Sequence, residues 1–478
     1  MSLGALRDRD FCILWSAVVI SNIGTWMHIV AQGWLLYQLT NSALWLGLVG
    51  LMRAVPLLGF PLLGGVVADR VPRTTILYVT QTAAALMAAG LAVAAALGLV
   101  APRHILLFAF GTAVVQAFDG PAREALLPDL IAPENMMSAV SLNSWSFNGA
   151  ILIGPALAAL LIPGIGIAGV FGLNALSFGA VLIALPLLRA KGGVVPIGSA
   201  RRNLIEGLSY VAQHPTMLAV VLMTATVSLF GRSYGQLMPV FARDFLGLDA
   251  SGMSILYTLA GLGTCTSAAV FVFLRDPRRK GLIAVGGAIS FAVAVALFAL
   301  SRVLWISEIL LFLAGGALIA FSTSATTLLQ KLAPRELRGR IMSVNTIAWQ
   351  GLEYVGVLLT GALATVWTAP PVVVGAAVMM GIAVIAIATL RCESSEWSDG
   401  ASKLNASQGG GRANTGRCTM RQLNARASKE KNLVVGFPTG WRLLFACGGC
   451  DPHMRGASSV AIDELGSREQ CRPLFGPC

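Results

Sequence analysis

The chain has 478 residues, of which 56% are hydrophobic and only 12% are charged. A soluble domain usually carries about twice that charged fraction, so the composition excludes a disordered or collagen-like protein and argues against a soluble enzyme. The 54 residues 135–188 contain no Asp, Glu, Lys or Arg. Because about 20 apolar residues cross the bilayer core, this stretch alone predicts two membrane spans.

Apolar stretches bounded by charged, polar or Pro/Gly-rich segments predict twelve membrane spans. Lipid admits only helices or closed barrels, and these stretches lack the strict alternation of a barrel strand, so we expect helices. The fourth stretch is short, and its helix is expected to continue past Phe118. In chain order the predicted spans are Phe11–Tyr37, Leu44–Val67, Ile76–Val100, Ile105–Phe118, Met137–Leu161, Ile167–Leu188, Met217–Val240, Ser251–Phe273, Leu282–Ser301, Ile309–Leu328, Ile341–Val366 and Val372–Leu390.

Basic residues are divided unevenly between the two sets of connections. The segment before the first span and the even-numbered connections hold 17 Lys and Arg, whereas the odd-numbered connections hold only Arg103, Arg243 and Arg302. The positive-inside rule therefore predicts a multi-pass protein of the plasma (inner) membrane with both termini in the cytoplasm. Topology explains this charge, so no nucleic-acid partner is expected. The first apolar run is too long for a cleavable signal and is read as span one.

A weak internal repeat divides the chain into two halves. Residues 132–155 resemble residues 333–357, and Asn143, Gly149 and Gly154 recur 202 residues later. The repeat predicts an all-α integral membrane protein with twelve transmembrane helices in two pseudo-symmetric six-helix halves. The predicted parts are an N-terminal half (1–188), a cytoplasmic linker (189–215), a C-terminal half (216–390) and a tail (391–478).

The tail differs in composition from the rest of the chain. It is polar, rich in Gly and Ser, and holds six of the eight cysteines. We expect a disordered cytoplasmic tail, or translated sequence outside the original reading frame. Cys447 and Cys450 with His453 resemble half of a zinc site, but no second CxxC pair accompanies them, so no metal or cofactor is expected.

The connection between spans two and three contains Gly65, Asp69, Arg70 and Arg73 in the sequence GVVADRVPR. A glycine at a helix end allows a neighbouring helix to approach closely. The aspartate can accept hydrogen bonds from a helix N-terminus, and the arginines can pair with acids. An ordinary positive-inside loop would explain the arginines but not the whole pattern, which resembles the loop motif of the major facilitator superfamily.

Four further stretches are similar to the branch of that superfamily called transmembrane secretion effectors, which includes exporters similar to the enterobactin exporter and macrolide efflux pumps. The resemblance covers roughly residues 5–390. It implies alternating access by two rocking halves, commonly proton-driven, with a small molecule moving outward through a monomer. The stretches are Gly24–Ser42, Ala117–Leu130, Gly231–Gly247 and Leu337–Leu352.

The resemblance also implies roles for particular residues. The four residues of the motif above would form a cytoplasmic gate loop, and Asp119 with Arg123 would form an inner-face charge relay that exchanges partners with it. Gly154 and Pro155 resemble the antiporter motif, whose small residues imply tight packing against the other half. Alanines stand where that motif usually has further glycines, which weakens the inference of antiport.

Ionisable residues inside predicted spans are candidate sites, because charge in the membrane is costly. Glu353 lies near the middle of span eleven, where a desolvated carboxylate takes up a proton readily. It is predicted to handle a proton or substrate, or to hydrogen-bond between helices. Arg232 and Arg53 would meet an anionic substrate, offset Glu353, or form a structural ion pair. His28 in span one would titrate, or simply pack.

Three other functions remain open beside proton-coupled export of a small organic molecule. An importer or uniporter would have the same fold, and a non-transporting sensor or assembly protein could retain it. A membrane enzyme is disfavoured, since the sequence has no HExxH, GxSxG or P-loop motif. The substrate also stays open among siderophores, macrolides and other drug-like compounds.

Overall fold

The computed structural model describes residues 4–60, 71–189, 200–273, 280–334 and 336–392. These residues form helices and no strands. The α-helices are α1 (Arg9–Thr40), α2 (Ala43–Gly59), α3 (Arg73–Ala96), α4 (Pro102–Leu130), α5 (Met136–Ala184), α6 (Ala200–Gln213), α7 (Pro215–Thr226), α8 (Ala250–Phe273), α9 (Lys280–Leu300), α10 (Leu304–Leu332), α11 (Arg338–Thr346), α12 (Leu352–Trp367) and α13 (Ala369–Cys392).

Irregular helical turns extend two of these helices. After α7 the chain continues through a π-helical turn, a 3₁₀ segment, a short α-helical turn and a second π-helical turn, and we name Pro215–Phe245 as a whole the seventh span. A π-helical turn, Ile347–Gly351, also joins α11 to α12, and we name Arg338–Trp367 as a whole the eleventh span. The turns of the seventh span are Val227–Gly231, Arg232–Leu237, Met238–Val240 and Phe241–Phe245.

The described residues contain ten helical stretches long and apolar enough to cross a membrane. One of them, Pro133–Leu187, has 55 residues. Straight, it would measure about 80 Å at 1.5 Å per residue, more than twice the roughly 30 Å hydrocarbon core. The chain breaks at Gly166 (φ 69°, ψ −179°), between predicted spans five and six. Only glycine adopts this backbone conformation readily.

Two of the predicted spans, the fourth and the second, differ in length from a typical span and can be compared with the helices. As expected, α4 continues past Phe118 and ends at Leu130. The helix α2 has 17 residues, and predicted span two runs on into residues outside the described part of the chain. A total of twelve spans therefore stays a prediction, as does the division into two six-helix halves.

Large apolar side chains point outward from the helices. Leu86, Leu160 and Leu176 have 68%, 75% and 74% of their surface exposed. Soluble proteins rarely expose contiguous apolar surface. This outer surface therefore suits contact with lipid.

Glycines let helices of the two predicted halves approach closely. The helix α2 packs on α12, and α5 packs on α8. A Cβ atom on Gly47 would lie 3.2 Å from the Cα atom of Gly361, and one on Gly261 would lie 2.9 Å from the carbonyl oxygen of Ile151. Small residues at such crossings are a common solution in membrane helices, where van der Waals packing drives association.

The predicted linker contains the 14-residue helix α6, which packs on α11. A Cβ atom on Gly207 would lie 2.7 Å from the carbonyl oxygen of Arg340. The guanidinium group of Arg340 pairs with the carboxylate of Glu206. The connection is therefore held against the start of the eleventh span. The predicted tail lies outside the described residues from residue 393 onward.

Candidate functional site

Arg232 and Glu353 form an ion pair between the seventh span and α12. Arg232 Nη1 lies 2.5 Å from Glu353 Oε2, and each side chain is 23% exposed. A π-helical turn ends immediately before Arg232, and another ends two residues before Glu353. Such π turns are rare and often occur at functional sites, because they displace the following side chains from the regular helical path.

The two helical segments touch through backbone next to this pair. A Cβ atom on Gly356 would lie 1.9 Å from the carbonyl oxygen of Leu229. No other residue fits at Gly356 without separating the segments. The contact therefore fixes the separation at which Arg232 reaches Glu353.

Trp349 makes two further contacts with Arg232. Arg232 Nη1 donates a hydrogen bond to the Trp349 carbonyl oxygen over 3.2 Å. The guanidinium carbon lies 4.5 Å from the centre of the indole ring, within the range of a cation–π interaction. The indole also stacks on Phe321, with ring centres 6.4 Å apart. Arg232 is thus held on three sides by the eleventh span.

Arg53 reaches the same cluster from α2. Its Nη2 donates a hydrogen bond to Gln32 Oε1 over 3.3 Å, and Gln32 Nε2 in turn donates to the Ile105 carbonyl oxygen over 3.3 Å. Arg53 also lies within electrostatic range of Glu353 and Tyr354. Three of the four ionisable residues singled out from the sequence therefore share one cluster, formed by both predicted halves.

His28 occupies a different environment from these three residues. Its ring is buried between Phe108 and Phe171, with ring centres 4.3 and 4.4 Å away. Neither ring nitrogen has a hydrogen-bond partner among the described residues. This environment suits a neutral imidazole that packs between aromatic rings.

Two residues of the cluster were missed in the sequence. Gln32 lies four residues after His28, on the same face of α1, and this spacing of polar side chains in an apolar helix was a usable signal. Tyr257 in α8 donates a hydrogen bond to the Gly235 carbonyl oxygen and lies within electrostatic range of Arg53. The sequence around Tyr257 did not indicate this role, because the hydrogen bond joins α8 to the seventh span, and such a contact between spans cannot be read from local spacing.

The predicted charge relay lies between α3 and α4. Asp119 Oδ2 accepts a hydrogen bond from Arg123 over 2.6 Å, and Oδ1 accepts from Thr80 and Gln81 over 3.0 and 2.8 Å. The carboxylate is thus paired within its own helix and satisfied by its neighbour.

Only one of the four predicted gate-loop residues lies in the described part of the chain. Arg73 Nη1 contacts Asp129 Oδ2 over 2.8 Å and the Ala125 carbonyl oxygen over 2.5 Å. Its acidic partner is therefore Asp129, which follows the predicted relay residues in the same helix, α4. The other three residues, Gly65, Asp69 and Arg70, lie outside the described residues.

The packing of Gly154 differs from what the antiporter-like motif implied. A Cβ atom there would lie 2.5 Å from the Cβ atom of Trp26 and 3.0 Å from the Ile23 carbonyl oxygen, both in α1. Gly154 and the neighbouring Pro155, also buried, therefore bring α5 against α1 of the same predicted half. Contact of α5 with the other predicted half is made at the backbone of Ile151, whose carbonyl oxygen lies 2.9 Å from a Cβ atom placed on Gly261.

No group of three or more potential metal ligands occurs among the described residues. The cysteine-rich segment considered as a zinc half-site lies outside them. The arrangement of Arg53, Arg232 and Glu353 can bind a charged group, exchange ion-pair partners and take up a proton. These are the capacities expected of a transport site rather than of a metal centre.

Comparison with known proteins identifies relatives over most of the chain. The family described as transmembrane secretion effector matches residues 1–409. The multidrug efflux pump Tap of Mycolicibacterium fortuitum is 27% identical over 365 residues, covering 73% of this chain and 87% of that protein. The enterobactin exporter EntS of Salmonella typhimurium is 26% identical over 368 residues, covering 76% and 84%.

Two further comparisons are consistent with these. The staphyloferrin A transporter of Staphylococcus aureus is 26% identical over 244 residues, which cover half of this chain and 61% of that protein. The inward-facing, unoccupied crystal structure of a bacterial homologue of the human lysosomal transporter Spinster superposes with a TM-score of 0.62 at 17% identity. That superposition covers 83% of this chain and 97% of the other, and establishes the fold.

Proposed function

Since this chain belongs to the transmembrane secretion effector family of the major facilitator superfamily, we propose that it exports a small organic molecule by proton-coupled alternating access. It is a multi-pass membrane protein and a secondary transporter, not an enzyme. The proposed cargo is a siderophore, a macrolide or another drug-like compound. Relatives named as an enterobactin exporter and a multidrug efflux pump support export.

The ion pair between Arg232 and Glu353 carries the proposal. A charged pair inside a membrane protein is costly, and such pairs commonly mark substrate or ion pathways. Glu353 takes up and releases the proton, while Arg232 and Arg53 bind substrate or balance charge. Because Arg53 belongs to the other predicted half, movement of the halves changes its distance from the pair. Proton binding at Glu353 and rocking of the halves are thereby linked.

The gate-loop and relay residues have supporting roles in this proposal. Gly65, Asp69, Arg70 and Arg73 form the cytoplasmic gate, and Asp119 with Arg123 exchanges partners with it as the halves move. The excess of basic residues in the even-numbered connections supports cytoplasmic termini. The protein acts as a monomer, since each chain contains both halves of the proposed pathway.

Inside-out membrane vesicles containing the full chain provide the test. The lumen is acidified, and a panel of dyes, macrolides and catecholate siderophores is added while lumenal pH is recorded. Wild type is compared with Glu353→Gln. Glu308→Gln is the matched control, because it also neutralises a glutamate of a membrane helix, α10, that takes part in none of the contacts above.

A substrate-dependent proton flux that Glu353→Gln abolishes and Glu308→Gln retains is the expected result. Accumulation of the same compound in the lumen would establish outward transport in the cell. Loss of a compound from preloaded vesicles would instead indicate import. Proton-driven transport that persists in Glu353→Gln would overturn the role of that residue, and no response to any compound by folded protein would count against the transport proposal.

A further inference from the structure

The charges of the cluster do not balance. Arg53 and Arg232 supply two positive charges, and Glu353 supplies one negative charge when it is ionised. Arg232 is paired with that carboxylate. Arg53 instead donates a hydrogen bond to the neutral amide of Gln32, and the neutral hydroxyl group of Tyr354 lies near it. With Glu353 ionised, the cluster therefore carries one net positive charge.

No carboxylate among the described residues forms an ion pair with Arg53 within 4.0 Å. An arginine in a membrane span without a counter-charge is unfavourable, because charged groups in the membrane normally pair with one another or line a pathway. The side chain is half-buried, so part of it is open to solvent or ligand. The guanidinium group has five N–H donors arranged to bind a planar oxyanion through two of them.

We propose that this cluster binds an organic anion with one net negative charge, and that its carboxylate or equivalent oxyanion sits on Arg53. This inference rests on the proposed function, whose substrate class it specifies. The bound anion supplies the missing counter-charge and leaves the ion pair of Arg232 with Glu353 intact. A neutral cargo would leave Arg53 uncompensated, and a cation would be repelled by the net charge.

The charged and titratable groups around Glu353 define how the site responds to protonation. They are Arg232 of the seventh span, Arg53 of α2 and Tyr354 of its own helix. Protonation of Glu353 takes the net charge of the cluster from one to two, and Glu353→Gln reproduces that change permanently. An anion then binds more tightly. By linkage, the anion and the proton assist each other's binding. Exchange of a proton for the anion, as proposed above, therefore requires that the cluster carrying both does not switch between states.

The test uses matched pairs of probes with the full chain in membrane vesicles. Coumarin, naphthalene and pyrene carboxylates are each compared with the primary amide and the methylamine of the same ring system. Uptake of each form is measured alone and in competition with the other two. The proteins compared are wild type, Arg53→Gln, Arg53→Lys and Glu353→Gln. The ring system is the same within each set, so the size and hydrophobicity of the ring are controlled while the head group changes from negative to neutral to positive.

The carboxylate form is expected to bind at least about tenfold more tightly than the amide, since hydrogen bonds between two charged groups are roughly twice as strong as those with a neutral acceptor. Arg53→Gln should remove that preference, Arg53→Lys should restore part of it, and Glu353→Gln should strengthen it. Opposite shifts in two variants of one cluster exclude general misfolding as the cause.

Three outcomes would overturn the inference or its premise. Uptake of amides or amines in preference to carboxylates would overturn the anion site while leaving transport established. An unchanged carboxylate preference in Arg53→Gln would show that Arg53 does not hold the anion. Absence of uptake for every ring and charge, with folded protein present, would count against the proposed function itself.

Discussion

The hydroxyl group of Tyr37, near the end of α1, donates a hydrogen bond to the carboxylate of Asp244 in the last π-helical turn of the seventh span. A second pair lies beside it, because Arg243 Nη1 contacts Asn41 Oδ1 over 2.6 Å. The Arg243 guanidinium carbon also lies 5.7 Å from the centre of the Tyr37 ring. These four residues, which we name the latch, join the first span of one predicted half to the first span of the other. In the proposed orientation the latch lies at the outer surface.

Weakening the latch should expose the interface beneath it to the outside. Gly33 lies one turn from Tyr37, and a Cβ atom there would lie 3.5 Å from Pro239 Cγ of the seventh span. A Gly33→Cys probe, in a chain whose native cysteines are changed to serine, should react slowly with a membrane-impermeant maleimide. Asp244→Asn should raise the labelling rate about tenfold, because a hydrogen bond to a charged acceptor contributes about 1.5–3 kcal/mol. Equal labelling with and without this substitution would show that the latch does not control opening.

The sequence was sufficient to predict the membrane fold, because runs of 20 apolar residues have few alternatives to a transmembrane helix. It also suggested that an arginine offsets Glu353, since a charge in a membrane span requires a partner. Which arginine forms the pair depends on how the seventh span packs on α12, where Gly356 meets the Leu229 carbonyl oxygen, and this is a tertiary contact that local sequence does not specify. The packing of Gly154 had the same limitation: the motif indicated a close approach but not that α1 is the partner.

Removing one member of the central ion pair should be more damaging than removing both. Arg232→Gln leaves Glu353 half-buried without its nearest counter-charge, whereas the double variant with Glu353→Gln leaves two neutral amides. We expect a coupling free energy of about 1–3 kcal/mol, below the values for fully buried pairs because both side chains are partly exposed. The coupling free energy is measured from the unfolding of wild type, Arg232→Gln, Glu353→Gln and the double variant in mixed detergent micelles. Strictly additive destabilisation would mean that the pair contributes no mutual stabilisation.

The backbone contact beside the ion pair should tolerate no added methyl group. In Gly356→Ala the new Cβ atom would meet the Leu229 carbonyl oxygen at 1.9 Å, so the helices must separate. Overpacking of this kind typically costs about 1–3 kcal/mol. Gly375→Ala in α13 is the matched control, because a Cβ atom there has nothing within 4 Å. The thermal midpoint in detergent should fall for the first variant only, and an equal fall in both would assign the effect to loss of glycine rather than to the contact.

Neutralising Asp119 should slow transport without weakening substrate binding. Its carboxylate accepts hydrogen bonds from Arg123, Thr80 and Gln81, all within α3 and α4 and none within the Arg53 cluster. In Asp119→Asn the ion pair is lost and one oxygen acceptor becomes a donor facing other donors, so we expect the maximal transport rate to fall about tenfold or more. The apparent affinity for the substrate found in vesicles should stay within about twofold.

The control for this prediction is Asp129→Asn. That carboxylate is 37% exposed, and its partner Arg73 keeps a second hydrogen bond to the Ala125 carbonyl oxygen, so a smaller loss of rate is expected. Initial rates over a range of substrate concentrations separate the rate from the affinity. A weakened affinity in Asp119→Asn would place the network in substrate binding instead. Equal losses of rate in the two variants would mean that burial of Asp119 and its three donors gives it no special part in switching between states.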